Sequence, residues 1–364
     1  MTWLKEMELR DLRNIHQASV ELSPGLNVFL GRNAQGKTSL LEGVGLLARG
    51  RSFRTEDGQA LIRRGAPHLF ARGRVQNERR VTALEVELGP GSRRLRVDAR
   101  EVPPGAYQGR LEAMVYSTDR LRVIQGPMRE RRLFLDRGAS LLWPSYRQTL
   151  RDYQRVLQQR TAALESRSTD LEAWNERLIE FGGSLRHRRQ AYVARLADEL
   201  RRGFRPAGES YEIAVRPGGE GDEETSRQAL RRELEASHVR ERGTGRSLVG
   251  PQRDRIELTV DGQEAALTAS SGQARSLLLA LTLAALAVYR EVTGHSAVAL
   301  LDDLDSELDE ERARTLCEEV VRGGQALVTT AHGPWAERVG EMGRVFHVSA
   351  GGVQAASLSV GERN

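Results

Sequence analysis

Cysteine is nearly absent from this sequence. The 364 residues include one cysteine, Cys317, and seven histidines. A single cysteine excludes an internal disulfide, and so few scattered thiol and imidazole groups cannot form a clustered metal site. Because Cys317 stands among apolar neighbours in a predicted helix, we expect it to be a buried core residue.

Aromatic residues and long apolar runs are also scarce. Aromatics make up 5% of the chain, which disfavours stacking platforms for single-stranded nucleic acid. The longest apolar run, from Leu277 to Tyr289, is shorter than the ~20 residues that cross a bilayer. Charges interrupt the N-terminal residues at once, unlike a signal peptide. We therefore expect a cytoplasmic protein in which this run is a core helix.

The charge balance is only mildly basic. Lysine and arginine number 55 against 50 acidic residues, which gives a net charge of +5. Such an excess permits a nucleic-acid partner without requiring one. The length and the 39% hydrophobic content suit a globular protein of two or three lobes.

The order of predicted elements is typical of a nucleotide-binding core with an insertion. A strand at 26–30, a glycine-containing loop and a helix at 39–48 come first; a strand at 297–301, a helix and a strand at 326–330 come last. Between them, residues 128–202 are helical in character and residues 217–246 are predicted to form a mobile loop containing a helix. We predict an α/β fold with lobe I at 1–118 and 286–364 and a mainly helical lobe II at 119–285, without a long coiled coil.

The most specific motif is a phosphate-binding loop. It follows an apolar strand and opens a helix, as G-x-x-x-x-G-K-[ST] requires. The predicted ATP-binding residues are Gly31, Arg32, Asn33, Ala34, Gln35, Gly36, Lys37, Thr38 and Ser39. Backbone N–H groups and the positive end of the helix attract phosphate, Lys37 adds charge at the β- and γ-phosphates, and Thr38 is a ligand for Mg²⁺.

A second apolar strand ends in two carboxylates, Asp302 and Asp303. We predict that Asp302 holds Mg²⁺ and that Asp303 is the general base for the attacking water. A third strand ends at His332, a candidate contact of the γ-phosphate, although an ordinary surface histidine is the more common explanation of such a residue.

Two further features acquire meaning from their order. Ser270, Gly272 and Gln273 precede the apolar helix, where serine and glycine alone would suggest a helix cap. Ser306 and Asp309 follow the acidic pair. The series of phosphate loop, Ser-x-Gly-Gln, acidic pair, Ser-x-Leu-Asp and strand-end histidine resembles the ATP-binding-cassette ATPase head. That resemblance implies a dimer that closes on ATP, with Ser270 acting on the nucleotide held by the other copy.

Several segments resemble the RecF family of DNA-repair ATPases in detail. They lie at 12–14, 31–38, 50–55, 61–65, 130–136, 248–254, 269–281 and 301–309. The chain departs from the family pattern at Gln252, where histidine is expected, and at Arg255 and Ser271. None of these departures removes a predicted catalytic group.

The resemblance implies a recombination mediator that hydrolyses ATP slowly with Mg²⁺ and dimerises on ATP. It implies binding to duplex DNA at single-strand gaps and, with RecR and RecO, help in loading RecA. Basic clusters are the candidate DNA contacts, because arginines that touch phosphates give affinity without reading sequence. The arginines concerned are Arg51, Arg54, Arg131, Arg132, Arg188 and Arg189.

Other classes of protein stay open at this point. The ATPase subunit of a membrane transporter would need a membrane partner and no DNA. A binding module with incidental hydrolysis would not depend on Asp303. A nucleotide kinase would use the phosphate loop alone and leave Ser270 without a purpose.

Overall fold

The computed structural model describes residues 1–356 except 79, 169, 204, 206–207, 218–220 and 305–309, and it describes the side chains of these residues outside 310–313. The first elements are β1 (Trp3–Leu12), β2 (Ile15–Glu21), β3 (Leu26–Leu30), α1 (Lys37–Arg49), β4 (Leu69–Gln76), β5 (Val81–Gly89), β6 (Ser92–Val97), β7 (Arg100–Glu101), α2 (Pro104–Tyr107) and β8 (Ala113–Tyr116). The middle elements are α3 (Arg122–Gln125), α4 (Met128–Leu142), α5 (Pro144–Glu165), α6 (Glu172–Arg202), β9 (Tyr211–Arg216), α7 (Glu223–Thr244), β10 (Arg255–Val260), β11 (Gln263–Glu264) and α8 (Ala265–Thr268). The last are α9 (Ser271–Thr293), β12 (Val298–Leu301), α10 (Glu310–Gly323), β13 (Ala326–Thr330), α11 (Gly333–Gly340), β14 (Gly343–Ser349) and β15 (Gly352–Ala355).

The chain divides into two compact units. Unit 1 combines Met1–Arg120 with the described residues from Leu278 onward, and unit 2 is Leu121–Leu277. The sequence-based boundaries at 118 and 285 lie close to these. The second boundary of the compact units lies after Leu277, near the start of α9, whereas the sequence-based boundary lies later in that helix, at 285. Residues 278–285 therefore belong to unit 1.

A mainly parallel sheet organises unit 1. Its strand order is β15-β14-β3-β13-β12-β8, and all neighbours are parallel except the β14–β15 hairpin. The strands β12 and β13 are buried along their whole length, as expected for a sheet covered on both faces. The carboxyl ends of β3, β13 and β12 therefore lie side by side at one edge of the sheet.

A second, antiparallel sheet completes unit 1. Its order is β2-β1-β4-β5-β6-β7, and its inward residues alternate with polar outward ones. Residues 39–48 of α1 are all buried, and α1 shares one hydrophobic core with both sheets. This core fixes the start of α1, and hence the phosphate loop, against the ends of the parallel strands.

Unit 2 contains the long helices α4–α7 and a three-stranded antiparallel sheet, β11-β10-β9. The longest helix that the structure describes, α6, has 31 residues. The helix predicted within 217–246 is α7, which occupies 22 of these residues. The side chain of Asp222 caps α7 by accepting from the backbone N–H of Thr225 at 2.9 Å.

The apolar helix α9 is longer than the run that predicted it. At 23 residues it is long and apolar enough to cross a membrane by length and composition, but 61% of its most apolar window is buried within the protein. That degree of burial agrees with the expected core helix.

Candidate functional site

The predicted catalytic segments follow three neighbouring strands. The phosphate loop follows β3, His332 follows β13, and Asp302 follows β12. Parallel strands place their carboxyl ends at one edge, where α/β proteins bind their ligands. The fold therefore brings together residues that are far apart in the sequence.

The phosphate loop adopts the strained turns that its motif requires. Gly36 has φ 110° and Ala34 has φ 63°, and a Cβ at Gly31 would lie 2.3 Å from the carbonyl oxygen of Val348. The Lys37 ammonium donates to the carbonyl oxygens of Gly31 at 2.8 Å and Arg32 at 3.3 Å. Lys37 is thus held directly beneath the loop, at the N-terminus of α1.

Thr38 and Asp302 form the expected metal-side pair. The Thr38 hydroxyl donates to Asp302 Oδ1 at 3.0 Å, and the Thr329 hydroxyl donates to the same oxygen at 2.7 Å. Burial raises the pKa of Asp302, and the charge of Asp303 adds to this, while the hydrogen bonds from Thr329 and Thr38 oppose it. A hydroxyl beside a carboxylate is an oxygen donor set that suits Mg²⁺.

Asp303 occupies a different environment from Asp302. Its backbone lies in the left-handed region with φ 50°, and its N–H donates to the Thr329 hydroxyl at 2.8 Å. Its carboxylate is 45% exposed and lies 4.0 Å from the Lys37 ammonium. The geometry therefore leaves Asp303 accessible to a water molecule while Asp302 is enclosed.

Asn14, from outside the motif, and Gln35, within it, support the phosphate loop. The Asn14 amide donates to the carbonyl of Ala34 at 3.4 Å and accepts from the Ser39 hydroxyl at 3.1 Å. Gln35 accepts backbone N–H groups of the β14–β15 turn, from Ala350 at its side chain (2.8 Å) and from Gly351 at its carbonyl (2.9 Å). No pattern in the sequence predicted the contact between Gln35 and this turn.

Arg54 contributes charge to the site. Its guanidinium pairs with the Asp119 carboxylate at 2.7 Å, and its positive charge lowers the pKa of Asp302. The sequence predicts Arg54 only as a DNA contact. Its effect on the pKa of Asp302 was not predicted, because the two residues are distant in the sequence.

His332 stands at the predicted strand end but makes little contact. It is exposed, it precedes α11, and its backbone N–H donates to the Thr330 hydroxyl at 2.9 Å. A role at the γ-phosphate stays a prediction. Ser306 and Asp309 lie outside the described residues.

The signature segment caps α9. The Ser270 hydroxyl accepts from the N–H of Gln273 at 3.2 Å, and the Gln273 side chain accepts from the N–H of Ser270 at 2.9 Å. This reciprocal pair is a capping box. Ser270 and Gly272 are exposed, so the cap leaves the segment open to a partner.

Comparison with known proteins places the chain in a family. A family model described as the RecF/RecN/SMC N terminal domain matches residues 3–354. A DNA replication and repair protein RecF of Symbiobacterium thermophilum is 36% identical over 340 residues, which cover 90% of this chain and 91% of the relative. A RecF of Streptococcus uberis is 31% identical over 366 residues, which cover 97% and 100%. The chain belongs to the RecF family.

Solved structures of RecF proteins are also similar to this chain. A structure described as the recombination mediator protein RecF-ATP in the RecFOR pathway has a TM-score of 0.87 at 26% identity and covers 98% of both chains. Its RecF-ATPrS counterpart has a TM-score of 0.85 at 27% identity, with 98% of both chains covered. An Smc head bound to the C-winged helix domain of ScpA, at 15% identity, has a TM-score of 0.59 and covers 99% of this chain and 98% of the Smc chain, so it shares the fold alone. The predicted ATPase-head fold is confirmed.

Two of the predicted DNA contacts in this RecF-family chain are instead internal. Arg189 is buried and pairs with Asp136 at 2.8 Å and with Asp254 at 3.2 Å. Arg131 is also buried and donates to the carbonyl oxygens of Ile256 and Ile124. The prediction that these two arginines contact DNA is wrong, because their charges are used inside unit 2.

Two segments that resemble the RecF family in sequence contact each other in unit 2. Arg132, in the segment 130–136, donates to the carbonyl of Asp254, in the segment 248–254, at 2.9 Å. Gln252, a departure from the family pattern, accepts from the Tyr153 hydroxyl and donates to Val249 at 2.8 Å. Both segments therefore contribute to one buried polar network that supports unit 2.

Arg188 and Arg51, two others of the six predicted DNA contacts, lie in different surroundings. Arg188 is half-buried and donates to the Ser145 hydroxyl. Arg51 is exposed. Neither is part of the internal network described above, and a DNA contact stays a prediction for both.

Proposed function

We propose that this RecF-family chain is an ATPase and recombination mediator that dimerises on ATP, binds duplex DNA at single-strand gaps and helps to load RecA. The observation that carries the proposal is the junction of Thr38 with Asp302, which joins the phosphate loop to the acidic strand end. Relatives named as DNA replication and repair proteins support the pathway, and RecF-ATP structures support the nucleotide.

The phosphates of ATP bind at the loop and the N-terminus of α1. Backbone N–H groups and the Lys37 ammonium neutralise phosphate charge, which requires Lys37 to leave the Gly31 carbonyl for a phosphate oxygen. Thr38 and Asp302 would hold Mg²⁺, which supplies charge neutralisation between the β- and γ-phosphates. Asp303 accepts the proton of the attacking water, and His332 contacts the γ-phosphate.

A second copy completes the site. Ser270 and Gly272 are exposed at the start of a 23-residue helix, whose N-terminus favours an anion. In the dimer this signature covers the γ-phosphate bound to the other copy. Hydrolysis removes the γ-phosphate and releases the dimer.

The partners follow from the pathway named for the solved relatives. We place RecR and RecO beside this chain, with RecA as the protein that is loaded, and all of them in the cytoplasm. The relatives reported above give no support to the alternative of a transporter subunit, since they are named as DNA repair proteins.

The test is binding to a gapped duplex with ATP, with ADP and without nucleotide. We expect ATP to promote binding that weakens as salt rises, and we expect Lys37→Met to lose the ATP effect. Binding that ignores both nucleotide and salt would contradict the proposal. Faster turnover on addition of acceptor nucleotides would instead indicate a kinase.

A further inference from the structure

The exposed sheet of unit 1 is a poor surface for DNA, because its charges neutralise each other. Glu8, Arg72, Glu85 and Arg96 lie directly opposite one another across four adjacent strands. Arg72 lies 3.5 Å from Glu85, and Arg96 lies 3.8 Å from the same carboxylate. Arginines arranged in this way carry little net field for a phosphate backbone.

Helix α5 in unit 2 has a different character. Its buried face consists of Tyr146, Tyr153, Val156, Arg160 and Leu164. The opposite face presents Arg147, Arg151 and Arg155, which recur every four residues. At 1.5 Å of rise per residue, consecutive arginines stand about 6 Å apart along one side of the helix. We call these three residues the α5 stripe.

The partners described for Arg151 and Arg155 neutralise little of the charge of these two residues. Arg151 donates to the neutral amide of Gln148 at 2.5 Å. Arg155 is 76% exposed and lies 3.7 Å from Asp152, whose carboxylate also accepts both hydrogen bonds of the Gln148 amide. The other polar side chains on the exposed part of the helix include glutamines, which can donate to phosphate without repelling it: Gln154, Gln158 and Gln159.

Arg188 places a further arginine near the start of α5. It reaches from α6 to the hydroxyl of Ser145, in the first turn of α5. The contact is with a neutral group, so Arg188 adds a cation at this end of the helix.

Helix α7 provides a contrast within the same unit and at the same length of 22 residues. Two of its arginines are paired with glutamates, Arg231 with Glu176 at 2.6 Å and Arg227 with Glu223. These pairs neutralise charge on α7, whereas Arg151 on α5 donates to a neutral amide.

We propose that the α5 stripe, together with Arg188, is a binding surface for the phosphate backbone of duplex DNA. This inference rests on the proposed function and names the surface that carries it. Arginine and glutamine donors along one helix face bind phosphates without reading bases, so the surface tolerates any sequence. The α5 stripe supplies candidate DNA contacts in place of Arg131 and Arg189, which are buried.

The test compares two variants that each lose two exposed arginines of unit 2. Arg151→Gln/Arg155→Gln changes the α5 stripe, and Arg231→Gln/Arg232→Gln changes α7. The affinity for a mixed-sequence duplex is measured against salt concentration in the full-length protein with ATP. Each lost phosphate contact should reduce the slope of log K against log salt by about 0.9, so the stripe variant should lose about 1.8 and the α7 variant about zero.

Retained ATP binding and an unchanged melting temperature show that both variants fold. If the wild-type protein binds DNA and the stripe variant keeps its slope, this inference is overturned while the proposed function stands, and an acidic protein partner becomes the better occupant. If the wild-type protein does not bind duplex DNA at all, both fail. An equal loss of slope in both variants would also overturn the inference, because it would show a diffuse electrostatic effect.

Discussion

The hydroxyl of Thr38 donates to the carboxylate of Asp302 across 3.0 Å, although 264 positions separate them in the chain. One residue belongs to the first turn of α1, and the other ends β12. Strand β13 lies between β3 and β12 in the sheet and supplies Thr329, whose hydroxyl donates to the same oxygen of Asp302. The contact between Thr38 and Asp302 ties the phosphate loop to the acidic pair.

Substitution of Asp302 should separate stability from function. Burial raises the pKa of Asp302, so the wild-type protein loses stability as pH rises from the carboxyl group's ordinary range through the raised value. Asp302→Asn avoids that loss, and we expect a melting temperature without nucleotide at least equal to wild type at neutral pH. The difference should shrink as pH falls through that window. A lower melting temperature at neutral pH would contradict the assignment.

Asp302→Asn should also need more Mg²⁺ than the wild-type protein for ATP hydrolysis. Asparagine accepts the hydrogen bonds of Thr38 and Thr329 but carries no charge for the metal. We expect the Mg²⁺ concentration needed for half-maximal ATP hydrolysis to rise by about 10- to 100-fold. An unchanged Mg²⁺ requirement would remove Asp302 from the metal site.

Asp303→Asn should keep the fold and lose turnover. Asparagine tolerates the left-handed backbone at φ 50°, so the local structure should survive. Loss of the general base should reduce the rate of ATP hydrolysis by about 100- to 10,000-fold while ATP affinity is kept. Asp303→Ala should show the same rate loss and a lower melting temperature from the strained backbone. Near-normal turnover in either variant would show that another group is the base.

The β14–β15 turn should be needed for nucleotide binding. A Cβ at Gly351 would lie 2.4 Å from the carbonyl of Asn14, so Gly351→Ala should displace the turn that holds Gln35. Gly91→Ala is the matched control, because Gly91 has a similar φ of 68° with open space around it. We expect weaker ATP binding, measured by calorimetry, only in Gly351→Ala. Equal effects in the two variants would show that the turn does not support the loop.

Neighbouring arginines should behave in opposite ways. Arg189→Gln removes a buried cation from the carboxylates of Asp136 and Asp254 and leaves them the Tyr146 hydroxyl and Arg186, which should destabilise unit 2 by about 3–5 kcal/mol in urea unfolding. Arg188→Gln, at a half-buried position beside a neutral hydroxyl, should change stability by about 0.5 kcal/mol or less and reduce the salt slope of DNA binding by about 0.9. The reverse pattern of effects would contradict the roles assigned to Arg188 and Arg189.

Much of the nucleotide site was predictable because local chemistry determines it. The phosphate loop needs glycine at Gly31 and Gly36, and the strand before Asp302 is apolar throughout, so both features are visible in a short window. The order of such windows also sufficed for the fold, since the carboxyl ends of parallel strands must meet at one edge.

What escaped prediction depends on contacts between distant residues. Arg188 and Arg189 are adjacent in the sequence, yet only the helix packing decides that one lies near the surface and the other faces Asp254. The turn at Gly351 is distant from the phosphate loop in the sequence. The alternation of polar and apolar residues in the strand before it predicts a strand but no contact with that loop. The polar segment 217–246 is predicted to contain a helix, but its sequence does not predict the extent of that helix; paired arginines and glutamates and the Asp222 cap favour a helix of 22 residues.

The most direct test of the central claim, that a second copy completes the ATP site, is sedimentation of Asp303→Asn with ATP, alone and combined with Ser270→Arg. Ala236→Arg, which adds the same charge at an exposed position of α7, is the control for the second substitution. We predict that Asp303→Asn and its Ala236→Arg derivative sediment as dimers with ATP. The Ser270→Arg derivative should bind ATP and sediment as a monomer. An ATP-dependent dimer in the Ser270→Arg derivative would contradict the account.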